Sequence, residues 1–174
     1  MKLLAFAASS SSTSINKQLA TYAASLVEGA DIEIVDLNDF EMPLFSEDKE
    51  REIGQPEPAK NFFAKLGQAD AIIISFAEHN GFYTAAYKNL FDWTSRIDQK
   101  LFQNKPMVLL STSPGPGGAG SVLAAAKNSA PYFAGDVKAT LSVPSFYDNF
   151  NSDKQVLRNK ALLQALKLAV ATLS

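Results

Sequence analysis

Apolar positions along the 174 residues follow two alternating rhythms. Residues 2–8 (KLLAFAA), 71–76 (AIIISF) and 106–113 (PMVLLSTS) are short, nearly continuous apolar runs, the pattern of strands buried on both faces. Residues 31–37 (DIEIVDL) alternate strictly and predict a strand nearer the edge of a sheet, and 137–143 (VKATLSV) predict a fifth. Between these runs the spacing changes to three and four. Ile15, Leu19, Tyr22 and Leu26 predict an amphipathic helix beginning near Ser14, with Gly29 as its C-cap. The spacing predicts further helices over 60–70, 84–98 and 119–134, the last ended by Pro131. A closing helix is predicted over 152–173, with Ser152 as its N-cap. Residues 38–59 are charged and proline-containing. They read as a surface excursion, because neither side is large enough to stand alone.

Five strands separated by helical segments predict an α/β fold, an open parallel sheet covered on both faces, in a single domain over 1–174. In such sheets ligands bind outside the carboxyl ends of the strands, near the point where strand order reverses. Chemistry is therefore sought in the loops that follow the strands.

Three of those loops stand out. Residues 9–14 (SSSSTS) are six consecutive hydroxyl side chains between the first strand and the first helix. A helix N-terminus offers unpaired N–H groups and a positive dipole end, which suits an anion. Ser9, Ser11, Ser12 and Ser14 add hydroxyl donors there. The competing reading is a solvated turn with Ser14 as N-cap. The second loop (FAEHNGFYTAAYKNL, 76–90) carries the Asn80-Gly81 turn signal, with Phe82 and Tyr83 behind it, and offers a planar ligand a shelf. His79 invites a catalytic role, although a lone loop histidine more often packs or hydrogen-bonds. The third (STSPGPGGAGS, 111–121) has four glycines and two prolines after a buried strand, so its backbone can approach a ligand closely.

Composition removes several classes of chemistry. The chain has no cysteine and one histidine, which excludes a disulfide framework, a thiolate metal site and a Cys nucleophile. No Gly-x-Ser-x-Gly elbow is present, and any Ser-His-Asp triad would depend on His79. A formal net charge of −2, with Lys and Arg dispersed, leaves no nucleic-acid footprint. The opening MKLLAFAA turns polar too soon for a signal peptide, and no apolar run reaches membrane-spanning length. The expectation is a cytoplasmic protein.

With these motifs in place, the chain resembles the NADPH-dependent FMN reductase family, flavodoxin-like reductases of quinones, azo dyes and chromate. EHNGFYTAAYKNLFDWTSR (78–96) is similar to the family's Pro-Glu-Tyr-Asn-Gly turn and its Lys-Asn-x-x-Asp-Trp-x-Ser-Arg helix. SPGPGG (113–118) resembles its Ser-x-Gly-x-x-Gly-Gly loop, and SSSSTSINKQLA (9–20) its phosphate loop. The resemblance covers roughly residues 1–150. It implies a three-layer α/β/α sandwich with a five-stranded parallel sheet in the order 2-1-3-4-5. It also implies FMN as cofactor, held by Ser9, Ser11, Ser14, Ile15 and Asn16 at the phosphate, and by Glu78, His79, Asn80 and Gly81 beside the isoalloxazine. Ser113, Gly115, Gly117 and Gly118 would face the pyrimidine end. NADPH or NADH would be the reductant, a small molecule the electron acceptor, and a homodimer or homotetramer would form through the 84–98 helix. Four positions depart from the family pattern: Ala8 and Ser11 stand where it has Gly and Arg, and Ala77 and His79 where it has Pro and Tyr. The lost arginine removes a bidentate phosphate partner.

Along that helix, Lys88, Asp92 and Arg96 are spaced for two (i, i+4) ion pairs, and Leu90, Trp93 and Ile97 line a buried stripe. Two other functions fit the same fold: a flavodoxin-type electron carrier, and a flavodoxin-like module for another phosphorylated ligand or partner. A carrier is usually strongly acidic around its flavin, which a charge of −2 does not favour.

Overall fold

The computed structural model describes residues 1–173. Strands β1 (Lys2–Ala8), β2 (Asp31–Val35), β3 (Ala71–Phe76), β4 (Pro106–Thr112) and β5 (Asp136–Val143) form one parallel sheet in the order β2-β1-β3-β4-β5. This is the flavodoxin-like order. The three inner strands are buried almost throughout, as their continuous apolar runs require, while β2 is exposed at four of five positions because it is an edge.

Alternation within the strands feeds two cores. Leu4, Phe6, Ile72, Ile74, Met107 and Leu109 face α3 (Glu57–Gln68), α4 (Ala85–Ser95) and α5 (Gly120–Ser129). Leu3, Ala5, Ile73, Val108 and Leu110 face α1 (Ile15–Ser25) and α7 (Lys160–Ala171). The registers Leu3↔Ala71 and Ile72↔Met107 keep these faces continuous across the sheet.

Several boundaries differ from the sequence pattern. The 38–59 excursion is folded: a 3₁₀ turn over Leu37–Phe40, then α2 (Glu47–Ile53) capped by Ser46. The predicted closing helix starts eight residues late. A four-residue helix α6 (Phe146–Asn149) leads into the antiparallel pair β6 (Phe150–Asn151) and β7 (Val156–Leu157). Asn151 Oδ1 accepts from the amides of Asp153 and Lys154, which commits 152–155 to a turn. Asn159, rather than Ser152, caps α7, accepting from Ala161 and Leu162. Gly29 is not a C-cap either. The cap of α1 is Leu26, and Gly29 takes its positive φ (69°) in the turn that follows.

Candidate functional site

The chain leaves β1, crosses to β2 and returns on the other side of β1 to β3, so strand order reverses between β1 and β3. Above that point a cleft of about 300 Å³ is lined by Ser9, Ser11, Thr13, Ser14, Ile15 and Asn16 from the first loop. Ala77, Glu78 and His79 line it from the second loop, Thr112, Ser113 and Pro114 from the third, and Tyr147 from the segment after β5. The three loops singled out in the sequence therefore meet.

The serine loop is built around its own hydroxyls. Ser11 N donates to Ser9 Oγ (3.2 Å), Thr13 N to Ser11 Oγ (3.3 Å) and Lys17 N to Ser14 Oγ (3.1 Å). Ser14 is thus the N-cap of α1. Among the described residues, the amides of Ile15 and Asn16 donate to no protein acceptor, leaving two aligned N–H groups at the mouth of an 11-residue helix. The loop is braced from outside. Asn38 Nδ2 donates to Ser10 O, and Asp36 accepts from Asn38 and from Lys17. The Lys17 ammonium holds the Asp36 carboxyl below its ordinary value.

Asn16 behaves differently from its neighbours. Its side chain is buried. Oδ1 accepts from Ser75 Oγ (2.7 Å) and Thr112 N (3.1 Å), and Nδ2 donates to Thr112 O (3.1 Å). All of these groups belong to the sheet, so the side chain rivets α1 to β3 and β4, and Asn16 offers the cleft its backbone amide.

In the second loop, His79 and Phe82 exchange backbone hydrogen bonds (3.0 and 3.2 Å) around Asn80 (φ 53°) and Gly81 (φ 80°). Two successive positive φ values make this the tight hairpin turn that Asn-Gly favours. The His79 ring is exposed at the cleft edge. Glu78 turns away from the turn, and its Oε2 accepts from Val122 N (2.8 Å) in α5.

The glycines of the third loop divide into two kinds. A Cβ on Gly118 would lie 2.2 Å from Ser142 Oγ and 3.1 Å from Pro144 N, and its φ is +59°. Its carbonyl accepts from Ser111 and Ser142 hydroxyls, so Gly118 faces inward. Cβ atoms on Gly115 and Gly117 would meet nothing within 4 Å. The amides of those two residues donate to no protein acceptor among the described residues.

Tyr147, Thr13, Thr112 and Pro114 also line the cleft and were not singled out in the sequence. Tyr147, 62% exposed, was reachable: it follows the fifth strand, as the other lining residues follow the first, third and fourth. The cleft's ionisable side chains are Glu78, His79 and Tyr147. No lysine or arginine lines it, so an anion there is held by amide and hydroxyl donors alone. That donor set fits a phosphate ester at the end of α1. The tight turn, with exposed Phe82 behind it, and the open glycine backbone fit a flat ring beyond it.

The chain matches the model of the NADPH-dependent FMN reductase family over residues 1–148. It belongs to that family. It is 32% identical over 116 residues to a Pseudomonas aeruginosa protein named as an NAD(P)H-dependent FMN reductase, covering 66% of this chain and 61% of the relative. It is 35% identical over 104 residues to a 2-hydroxy-1,4-benzoquinone reductase of a Burkholderia species, covering 59% and 55%. The matched region thus spans between half and two thirds of these relatives' lengths. A flavoenzyme NAD(P)H:(acceptor) oxidoreductase from Paracoccus denitrificans superposes with a TM-score of 0.77 at 21% identity, over 99% of this chain and 94% of that one, and shares the fold.

The family's helix motif has an internal use in this chain. Asn89 Oδ1 accepts from Phe45 N (2.8 Å), and Asn89 Nδ2 donates to the carbonyls of Met42 (3.3 Å) and Pro43 (3.1 Å). Trp93 Nε1 also donates to Pro43 O, at 2.8 Å. Lys88 pairs with Asp92 as its spacing predicts, but Arg96 pairs with Glu50 of α2 instead of Asp92. One (i, i+4) rung of the two forms, because folding brings the Glu50 carboxylate to the guanidinium.

Proposed function

We propose that the chain is a single FMN-binding domain that oxidises NADPH or NADH and passes the electrons to a small acceptor such as a quinone, an azo compound or a free flavin. The observation that carries this reading is the convergence of three strand-end loops on one cleft whose anion donors are uncharged. Ser9, Ser11, Ser14 and the amides of Ile15 and Asn16 take the phosphate. The 78–81 turn lies along the ring, and Ser113, Gly115 and Gly117 bound its pyrimidine end, while Gly118 sets the loop's shape. Bound FMN supplies the hydride-accepting chemistry. The protein's part is to bind, orient and leave one face open. On this reading the amides of Gly115 and Gly117, which donate to no protein acceptor among the described residues, serve charge gathering at the ring edge. No side chain of the cleft is needed as a nucleophile.

The names of the relatives, and a cleft whose one lining carboxylate, Glu78, is engaged by Val122 N, support a reductase over a carrier that docks through an acidic rim. Among the described residues no helix is long and apolar enough to cross a membrane, and we assign the protein to the cytoplasm. A homodimer or homotetramer through the α4 face completes the assignment. Ala85 and Lys88 are exposed on that face, beside Leu44, which is 80% exposed.

The test is the visible spectrum of the purified protein after FMN loading and desalting. The expected result is a retained flavin spectrum bleached by NADPH or NADH and restored by a quinone. A protein that stays colourless and leaves FMN fluorescence unquenched would overturn the assignment.

A further inference from the structure

Helix α5 begins without a cap of its own. Ala119, its N-cap residue, adopts the left-handed conformation and supplies no side-chain acceptor; Gly120 N donates to Gly117 O (3.1 Å), and the next amides of the first turn have no partner within the helix. One of them is satisfied from 44 residues away, where Val122 N donates to Glu78 Oε2 at 2.8 Å. Among the described residues this is the single hydrogen bond joining the 77–82 loop to the 113–122 segment. The two segments follow the neighbouring strands β3 and β4, and both contribute to the cleft wall, through Ala77, Glu78 and His79 and through Ser113 and Pro114. The glycine loop is already anchored on its far side, through Ser111 and Ser142 on the Gly118 carbonyl and through Ser145 N on Gly115 O. The tight turn is fixed internally by the His79–Phe82 exchange. The Glu78 carboxylate ties the turn to the start of α5, where the glycine loop ends, while Tyr83 Oη meets Ser129 Oγ (3.2 Å) at the far end of that helix.

We infer that Glu78 is a positioning residue, a strut that sets the separation of the turn and the glycine loop and so prepares the cleft before a flavin arrives. A carboxylate suits the task because it accepts strongly from a helix N-terminal amide. What the strut requires is an acceptor at that reach, and charge is secondary. Glutamine supplies an acceptor at the same distance, aspartate falls one methylene short, and alanine has none.

This inference rests on the flavin reading, and its test separates the two. Glu78→Gln is expected to keep the FMN dissociation constant within about threefold of wild type. Glu78→Ala and Glu78→Asp are each expected to weaken it about tenfold or more and to change the visible circular dichroism of bound FMN. A tenfold change corresponds to about 1.4 kcal/mol. Hydrogen exchange on the flavin-free proteins reads the strut itself. Protection at Val122 is expected to survive in Glu78→Gln and to be lost in Glu78→Ala. Val122 protection unchanged in Glu78→Ala overturns the inference. So does Glu78→Gln losing as much flavin affinity as Glu78→Ala, which would make the carboxylate charge or a direct flavin contact the operative feature. A wild-type protein that binds no FMN, with the Val122 protection pattern as expected, would overturn the flavin reading and leave the strut standing. Should Glu78→Ala not fold, Glu78→Gln and Glu78→Asp carry the same comparison.

Discussion

Removing the Asn16 side chain separates a structural from a ligand role. In Asn16→Ala, three buried partners lose their hydrogen bonds at once: Ser75 Oγ, Thr112 N and Thr112 O. Ser75 and Thr112 are 0% and 1% exposed, so water cannot easily replace the lost partner. Stranding a buried polar group costs about 1–3 kcal/mol. The Ser75 hydroxyl can rotate toward another acceptor, which leaves the two Thr112 backbone groups carrying most of the loss. The expected destabilisation of the flavin-free protein is therefore about 3–5 kcal/mol. With a urea slope of about 2 kcal/mol/M, the midpoint falls by roughly 1.5–2.5 M. The assay is equilibrium urea unfolding of flavin-free protein, followed by Trp93 fluorescence and far-UV circular dichroism. A midpoint shift under about 0.5 M, together with a tenfold or greater loss of FMN affinity, would refute the argument. It would show the side chain spent on the phosphate rather than on the sheet.

The two kinds of glycine should separate cleanly. Gly118→Ala is expected to cost about 2–4 kcal/mol in urea unfolding, from its positive φ and the approach of Ser142 and Pro144. Gly117→Ala should leave flavin-free stability within about 1 kcal/mol, because its Cβ meets nothing, yet weaken FMN in a fluorescence titration. Since no basic side chain lines the cleft, raising NaCl from about 50 to about 500 mM should change FMN affinity by less than about threefold, and a steep salt dependence would contradict the uncharged donor set. The Lys17–Asp36 pair gives a signed pH effect. The Asp36 carboxyl is held below its ordinary 3.8, so its contribution is complete above that value and fades as pH falls through the lower folded one. Thermal melts of wild type and Asp36→Asn should therefore differ at neutral pH and converge in acid. Asn89→Ala, which frees Phe45 N, Met42 O and Pro43 O, should speed proteolysis between 41 and 53 and weaken self-association in sedimentation velocity.

The central sheet was legible because burial on both faces leaves one signature, a continuous apolar run, and β1, β3 and β4 carry it. The edge position of β2 was legible from its alternation. The last 30 residues were not, because Ser152 and Asn159 are both competent caps. The choice between them is made by the Asn151 turn and by the pairing of Val156 and Leu157 with the preceding strand, and periodicity carries no trace of tertiary pairing. At the site, the strand-end rule located the three loops, yet could not distinguish residues that face the cleft from residues that build it. Asn16, Glu78 and Gly118 have polar or permissive chemistry suited to a ligand, and in the structure their side chains, or the lack of one, serve the scaffold. The difference lies in contacts spanning 96, 44 and 24 residues, beyond the reach of any local motif.

The same distinction bears on the α4 motif. Its conspicuous residues, Asn89, Trp93 and Arg96, are occupied inside the chain, where they hold the 42–50 segment against the helix. On the proposal that a second copy docks on this face, it would meet what they leave exposed, chiefly Ala85, the Lys88–Asp92 pair and Leu44 at the crest of the clamped segment. An isolated exposed leucine is unremarkable on a surface. One held rigid by three amide contacts and an indole donor loses little further freedom on docking, which lowers the ordering cost that association must meet. The motif would then act on assembly through pre-organisation rather than contact. On that argument Asn89→Ala and Leu44→Ser weaken self-association by different routes. The first raises mobility in 42–50 of the lone subunit, seen as faster hydrogen exchange there, and the second leaves that exchange unchanged. If both variants dissociate with identical exchange in 42–50, the clamp plays no part in the interface.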